Sequence, residues 1–467
     1  MIVKRSRIAR IARDDFGFDA LRPGQAAAIR SILDDHDTLA VMPTGSGKSA
    51  IYQIAAALEG GPVVVVSPLI ALQRDQVEAV EELDAGEAAL VNSTISAGER
   101  RDVFADLRAG DLDFIFLAPE QFAHGDTLAR LTEAQPTLVV VDEAHCISEW
   151  GHDFRPEYLE LGRVIEELGH PTVLALTATA SPPIREEIVT RLGMREPRVV
   201  VRGFDRPNIW LGVERFADEP AKQRALLERV AAEPQPGIIY AATRRRAEDL
   251  AAALREQGIP ARHYHGGMKA AEREETQRAF MEDECPVIVA TTAFGMGIDK
   301  PNVRFVFHYD VSDSVDAYYQ EIGRAGRDGE PARAILFYRP EDLGLRRYFA
   351  AGGKDEARRE FERSRVEMMR GYAEVRDCRR EYLLNYFGEE YDDPCCNCDN
   401  CDAGVAVAED EAAQRFPLNS RVVHESWGEG LVQRHEGGKV TVLFDQVGYK
   451  SLDADYAVAQ GLLAPAG

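Results

Sequence analysis

The chain lacks any long hydrophobic run: none of its 467 residues sit in a stretch approaching the roughly eighteen apolar positions of a membrane-spanning helix. Its opening, MIVKRSRIARIARDDFGF, has basic residues but neither an apolar core nor a small-residue cleavage site, so no signal peptide is expected. A reducing cytoplasm is the default expectation. Cysteine is scarce, with seven residues, yet four crowd into PCCNCDNC, Pro394–Cys401. In a reducing compartment such a cluster is more often a metal or redox centre than a set of disulfides. Lysine is sparse as well, since the basic residues are overwhelmingly arginine. They are outnumbered, giving a net charge of −24. That balance disfavours a broad phosphate-binding surface but not a local basic groove, because net charge governs solubility and long-range association.

What is present is ordinary globular composition, 45% apolar, over a length that predicts three or four domains. From about residue 38 to 340, short β-branched runs alternate with helical patterns. DTLAVM, PVVVVSP, DFIFLAPE, TLVVVDEAH and TVLALTATA are five buried-strand candidates. QPGIIYAA, ARHYHGG, CPVIVATTAF, VRFVFHYD and ARAILFY repeat the theme. The alternation predicts α/β architecture, with parallel sheets covered by helices in two consecutive domains joined near GFDRPNIW, residues 203–210. Residues 341–380 read as charged helix. DAGVAVAEDEAAQ then reads as a linker, and from Arg421 short strands split by glycine predict a small antiparallel β-barrel.

VMPTGSGKS ends one strand and opens one helix, which is where a phosphate loop belongs. Backbone amides around Thr44, Gly45 and Gly47 would cradle phosphates, Lys48 would reach the β/γ-phosphates and the Ser49 hydroxyl would ligate magnesium. Met42 stands where such loops carry their first glycine, so the bland reading of this segment is a glycine-rich turn. LVVVDEAH adds weight, because an apolar strand delivers Asp142 and Glu143 at its carboxyl end, where ligands sit in open α/β sheets. Asp142 suits the magnesium-holding acid and Glu143 the group that orients an attacking water. Either acid alone would pass for an acidic helix start; the pair after a phosphate loop points to nucleotide hydrolysis. In YYQEIGRAGRDG, Arg324 and Arg327 lie three apart and are expected on one helical face. Arg327, with Arg324 beside it, is the candidate arginine finger; a solvated basic face is the alternative.

These residues resemble the RecQ-type helicases of helicase superfamily two, from about Phe16 to Asp402. The likeness rests on FGFDALRPGQ, MPTGSGKS, VVSPLIALQRDQV, VDEAHCISEWGHDFRPEY, LTATA, ATTAFGMGIDKPNVRFVFHYD and YYQEIGRAGRDG. The DEAH tetrad alone fits RNA helicases too; its continuation is what points to RecQ. The resemblance implies two RecA-like domains, 1–205 and 206–340, and a helical zinc-binding module, 341–404. A linker, 405–416, and an SH3- or Tudor-like barrel, 417–467, complete the expected order. It implies ATP and magnesium as cofactors, with Arg22 and Gln25 at the adenine edge, and Phe18 and Leu21 where the family often has Tyr and Phe. It assigns DNA coupling to His145, to the aromatic-rich loop of Trp150, His152, Phe154 and Arg155, and to Thr177 and Thr179. Asp299 and Lys300 are expected at the interdomain cleft, and His265 and Arg244 at strand-contacting positions. Aromatic faces stack on unpaired bases without reading sequence, which suits a motor moving 3′ to 5′ on single-stranded and forked DNA. A role in repair or recombination and a nucleoid association go with it.

Cys395, Cys398 and Cys401 are spaced as three thiolates on a tight turn, one short of a tetrahedral zinc shell; a redox pair is the alternative. The nearest further cysteine is Cys378. The resemblance names Cys378, Cys395, Cys398 and Cys401 as zinc ligands and leaves Cys396 spare. It also implies that zinc ties the region of Arg379, Arg380, Tyr382 and Tyr386 to the motor. Family members continue into a winged-helix and often a helical nucleic-acid-binding domain, and neither is expected here. The tail RVVHESWGEGLVQRHEGGKVTVLFDQVGYKSL looks like the Tudor-type tail of UvrD and PcrA helicases. That likeness implies an RNA-polymerase-like protein partner, met through an exposed Trp427 and strand edges; a cap on the chain end is the alternative. Two functions stay open, an ATP-dependent 3′–5′ DNA helicase and a partner-recruited DNA-dependent ATPase that translocates or remodels without efficient unwinding.

Overall fold

A computed structural model describes residues 2–43, 45–68, 70–82, 86–92, 95–123, 125–148, 154–295, 298, 300–344, 346, 356–389, 391, 394–404, 415–417, 420–436, 438–445 and 447–465. The chain divides into two compact units, Met1–Phe204 and Asp205–Gly467. No helix among the described residues is long and apolar enough to cross a membrane.

The first unit is built on β1 (Thr38–Val41), β2 (Val63–Val66), β3 (Ala88–Val91), β4 (Phe114–Leu117), β5 (Leu138–Val141), β6 (Thr172–Thr177) and β7 (Arg198–Val201). They pair in parallel in the order β3-β4-β2-β5-β6-β1-β7. Every residue of β1, β2, β4 and β5 is buried, as expected of near-continuous apolar runs covered on both faces by helices. All five strands expected in this half are present. The two that the pattern did not announce, β3 and β7, are the sheet edges, where partial exposure dilutes the apolar signal.

The second unit opens with β8 (Ile209–Arg215), β9 (Gly237–Tyr240), β10 (Ala261–Tyr264), β11 (Val287–Ala290), β12 (Phe305–His308) and β13 (Ala332–Tyr338). These form a parallel sheet in the order β10-β11-β9-β12-β13-β8. Here too the unannounced strand, β8, is an edge. Lys222 lies wholly buried on this sheet, its ammonium 2.6 Å from Asp342 and 4.2 Å from the centre of the Tyr309 ring. The helices Glu356–Glu374 and Arg379–Tyr386 come next.

The same unit ends in β14 (Arg421–His424), β15 (Gly428–Glu436), β16 (Lys439–Phe444), β17 (Gly448–Asp453) and β18 (Leu463–Pro465). They are antiparallel, in the order β17-β16-β15-β14-β18, with a bulge between Val432 and Arg434. A β17–β18 pairing, which would close the expected barrel, is not among the pairings of the described residues. Trp427 is half-buried rather than exposed: its ring stacks on His424 at 4.0 Å and meets Phe444 edge-on at 5.4 Å. Its flat surface is worth more against the small core of Val422, Val440 and Phe444 than in water.

Removing one member of a buried ion pair strands the other charge out of water. Asp342→Ala should therefore cost about 3 kcal/mol in urea unfolding of the full chain, and Asp342→Asn less; an Ala variant as stable as wild type would remove the pair from the account of this core.

Candidate active site and metal centre

Three neighbouring strands of the first sheet set the site. β6 pairs in parallel with β1 on one side and β5 on the other, so the carboxyl ends of all three lie at one edge of the sheet. There β1 leads into the phosphate loop, β5 leads into the acids, and Thr177 ends β6. Gly45 and Gly47 take φ of +78° and +72°, a left-handed region that side chains rarely enter. A Cβ on Gly47 would stand 2.8 Å from the Gln25 amide nitrogen. The loop runs into the helix Ser49–Glu59, with Lys48 as its cap residue. Lys48 Nζ donates to the carbonyls of Met42 and Pro43 at 3.2 and 3.5 Å, which folds the ammonium back over the loop's own backbone.

Gln25 Nε2 donates to the Ser46 and Gly47 carbonyls at 3.0 and 2.8 Å, and its Oε1 accepts from the Arg22 amide at 2.8 Å. Arg22 also donates through its guanidinium to the Gly45 carbonyl. The two residues expected at the adenine edge thus brace the phosphate loop. Thr44 lies outside the described residues.

Asp142 is buried, and Gln76 Nε2 donates to it at 3.2 Å while the Glu143 amide donates at 2.9 Å. Burial, then the neighbouring Glu143 charge, push its carboxyl up to about 6 against the opposing pull of Lys48 and Gln76. Glu143 itself sits at φ +47°, ψ 46°, a conformation that costs a non-glycine residue free energy and recurs at functional sites. Asp142, buried beside a second carboxylate and only partly offset by Lys48 and Gln76, is an oxygen donor that a cation would relieve. With the Ser49 hydroxyl at the helix start, that chemistry fits a hard divalent cation such as magnesium.

His145, fully buried, places Nδ1 2.9 Å from Thr177 Oγ1 and 3.3 Å from Glu143 Oε2. Thr177 Oγ1 donates to the Thr179 carbonyl at 3.0 Å. A polar chain therefore links Glu143 to the end of β6. Arg155 donates to the Pro68 carbonyl at 2.8 Å, Phe154 is half-buried, and Trp150 and His152 lie outside the described residues.

In the second unit the expected helical pairing of Arg324 and Arg327 is corrected. The helix Val315–Ile322 ends before them, and both lie in the turns beyond it. Gly326 takes φ +55°, and a Cβ there would meet Asn208 Nδ2 at 2.4 Å, so the chain has to turn. Arg206 donates to the carbonyls of Gly323, Ala325 and Gly326 at 3.2, 2.8 and 3.0 Å, and Asn208 to Gly326 at 2.8 Å. Arg324 is buried against the Gly295 carbonyl, and Arg327 is half-buried. Lys300 is buried, donating to the Met281 carbonyl at 3.0 Å and pairing with Asp283 at 2.8 Å, while Asp299 lies outside the described residues. His265 is buried with Nε2 2.9 Å from Glu248, and Arg244 stands beside Gly267. Gln76, Arg206 and Asn208 carried no assigned role in the sequence, because a polar residue that braces a neighbour's backbone leaves no spacing pattern of its own.

Cys378, Cys395, Cys398 and Cys401 bring their sulfurs within 4.8 Å of one another. Cys378 caps the helix Arg379–Tyr386, and the other three surround a turn in which Cys396, exposed and at φ +48°, stays outside the cluster. Hydrogen bonds from Cys378 and Cys395 hold the Cys398 thiol far below its ordinary value. Cys395 is held up at about 11, where the lowering contact with Cys378 is outweighed by Cys398 and burial. Burial and then Cys398 push Cys401 up to about 12. One thiolate suppresses the next, so four together call for a cation; four sulfurs at this spacing fit zinc. The loop docks on the β8 edge: the Asn397 carbonyl accepts from the Leu211 amide at 3.3 Å and the Asp399 carboxylate from the Val213 amide at 2.9 Å. Arg380 reaches Asp205 at 2.6 Å and the Ile209 carbonyl at 2.7 Å.

Known protein families match the chain in this same order of elements. Residues 22–187 match the family model described as DEAD/DEAH box helicase, 221–329 the helicase conserved C-terminal domain and 340–402 RecQ zinc-binding. Residues 421–460 match a family described as a protein of unknown function (DUF3553). The matched models are, in order, those of a two-domain helicase core and a zinc-binding module. Over residues 22–402 the chain matches these three models in succession. It is 42% identical over 388 residues to the ATP-dependent DNA helicase RecQ of Pasteurella multocida, covering 83% of this chain and 61% of that protein. With the ATP-dependent DNA helicase RecQ of Bacillus subtilis it shares 38% over 394 residues, 83% of this chain and 65% of that one. The chain spans a little over three-fifths of the length of these bacterial RecQ relatives. A solved structure of the Mycobacterium smegmatis helicase Lhr bound to ssDNA and AMP-PNP has the same fold, with a TM-score of 0.52 at 24% identity over 80% of this chain and 54% of that one.

Cys398→Ser should leave the purified chain with less than one zinc per molecule by atomic absorption and lower its melting temperature, because the loop covering β8 loses its clamp; full zinc content with unchanged melting would contradict the four-thiolate centre.

Proposed function

We propose that this chain is an ATP-dependent 3′–5′ DNA helicase of RecQ type. The observation that carries the reading is the meeting of a glycine-strained phosphate loop and two adjacent acids at neighbouring strand ends, in a chain with the RecQ succession of domains. Thr44, Gly45, Gly47 and Lys48 receive the phosphates, Lys48 as the point charge on the β/γ-phosphates. Ser49 and Asp142 hold magnesium, which when bound neutralises phosphate charge and polarises the γ-phosphoryl group. Glu143 orients the attacking water. Arg22 and Gln25 read the adenine edge, exchanging the loop carbonyls they now brace for the nucleotide. Arg327, with Arg324, compensates charge at the γ-phosphate, on a turn whose shape Arg206 and Asn208 hold. Asp299 also contacts the nucleotide. The chain His145–Thr177–Thr179 passes the nucleotide state to the loop of Trp150, His152, Phe154 and Arg155, whose aromatic faces stack on single-stranded bases. Zinc on the four thiolates holds the loop against β8.

The rival is a partner-recruited DNA-dependent ATPase without efficient strand separation, with the C-terminal sheet, completed as a Tudor-like barrel, meeting a protein. It is favoured by the exposed Val423 on β14 and the exposed Tyr456 and Val458 on the short helix Ala454–Ala459, which put apolar surface on this part of the chain.

A forked-duplex unwinding assay run beside DNA-stimulated ATP hydrolysis separates the two readings: unwinding is expected, and stimulation without strand separation would transfer the assignment to the rival. Lys48→Ala should lower ATP turnover by at least about a hundredfold with melting unchanged, and retained turnover would remove the phosphate-loop role. Trp150→Ala should leave DNA-free hydrolysis alone and abolish its stimulation by single strands; normal stimulation would exclude that loop from coupling.

A further inference from the structure

The C-terminal sheet packs on the helices of the zinc module rather than hanging from a linker. A Cβ on Gly448 would stand 2.5 Å from Ser364 Oγ, the Tyr449 and Tyr386 rings lie 5.9 Å apart, and the Arg434 guanidinium sits 4.5 Å over the Tyr382 ring. Between the two partners the chain leaves a cavity of about 810 Å³. Two of its walls are basic. Arg359 and Arg363, four residues apart, share one face of the helix Glu356–Glu374, and Arg434 and Lys450 face them from β15 and β17. Among the described residues the lining holds one acid, Glu367, and its carboxylate lies 3.4 Å from Arg370 on the same helix. Tyr382 and Tyr449 also line the cavity.

Four cationic side chains line one cavity, which favours an anionic ligand, and the concentration is unusual in a chain of net charge −24. Three are guanidinium groups, whose planar forks suit phosphate oxygens better than isolated point charges do. The volume is that of a site for an extended ligand rather than a single small anion. Tyr382 and Tyr449 are buried in the cavity wall, so the charges make the contact, and a basic groove tracks a nucleic-acid backbone without reading its sequence. A protein partner of mixed charge would match only part of this positive lining.

We propose that the cavity between the C-terminal sheet and the helix Glu356–Glu374 binds the phosphodiester backbone of a DNA strand, so that the tail is a DNA grip built jointly with the zinc module. This rests on the DNA-directed reading above. No residue of the grip belongs to the phosphate loop, the acids or the thiolate centre.

The test uses the full zinc-loaded chain and fluorescence anisotropy of a labelled oligo-dT strand across a salt series, for wild type, Arg363→Glu/Lys450→Glu and the charge-keeping Arg363→Lys/Lys450→Arg. The charge-reversed chain should bind at least tenfold more weakly. The slope of log affinity on log salt should fall by roughly 1.4, at about 0.7 per phosphate contact on a single strand, and the charge-keeping chain should bind as wild type does. If the reversed chain melts below wild type, Arg363→Ala/Lys450→Ala is used in its place, with a tenfold loss again expected. Unchanged affinity and slope in a folded charge-altered chain would overturn the grip while leaving fork unwinding, and so the helicase reading, intact. Inorganic tripolyphosphate serves as a second probe: if it raises the melting temperature of wild type and not of the reversed chain while oligo-dT affinity is unchanged between them, the cavity takes a free polyphosphate and the DNA assignment is overturned. A wild-type chain that neither binds oligo-dT nor unwinds forks would overturn both readings together.

Discussion

Two carboxylates held side by side at the end of β5, with Asp142 buried and the Lys48 ammonium acting on it, set the terms for the first unit. Asp142 cannot ionise cheaply there: it has lost water and faces Glu143, and the donors Gln76 and Lys48 offset only part of that. Such an arrangement is a poor structural element and a good cation site, because a divalent ion removes the penalty at once. The surrounding features serve this one. Burial of β1, β5 and β6 on both faces fixes where their ends fall, Gly45 and Gly47 let the backbone turn close by, and the strained Glu143 is held in place next to the His145–Thr177 chain.

The second unit solves a different problem, that of an edge. β8 closes the parallel sheet on one side, and its amides at Leu211 and Val213 would be open to another chain. The cysteine loop takes both, and Arg380 reaches from the helix behind it to the Ile209 carbonyl. The thiolate cluster is therefore a clamp on a strand edge as well as a binding site. Without a cation the Cys398 thiolate suppresses ionisation of the other three sulfurs, so the clamp and a bound metal would depend on each other.

Apolar runs buried on both sides, such as VVVV at β2 and FIFL at β4, announced the strands and hence the parallel sheets. The edge strands β3, β7, β8 and β18 did not, since half-exposed or short strands have no continuous apolar signal. The phosphate loop, the acid pair and the four cysteines were legible because each chemistry demands fixed residue types at fixed spacing. The turn carrying Arg324 and Arg327 was misread as helix because their i, i+3 spacing suits one. What decides the turn is Gly326 at positive φ, with its carbonyl held by Arg206 and Asn208 from 118 or more residues away in the sequence. Trp427 was misplaced on the surface for a similar reason, since its partners His424 and Phe444 are brought to it only by the pairing of β14, β15 and β16. The packing of the C-terminal sheet on the zinc-module helices left no pattern in either segment alone.

The proposal on which the account turns is that buried Asp142, with half-buried Glu143 beside it, takes a divalent cation with the nucleotide. Calorimetric binding of a non-hydrolysable ATP analogue to wild type and to Asp142→Asn, each with magnesium and with EDTA, tests it most directly. Wild type should bind at least tenfold more tightly with magnesium, and Asp142→Asn should lose that dependence. Equal affinity with and without magnesium in wild type, or an undiminished magnesium effect in Asp142→Asn, would contradict it.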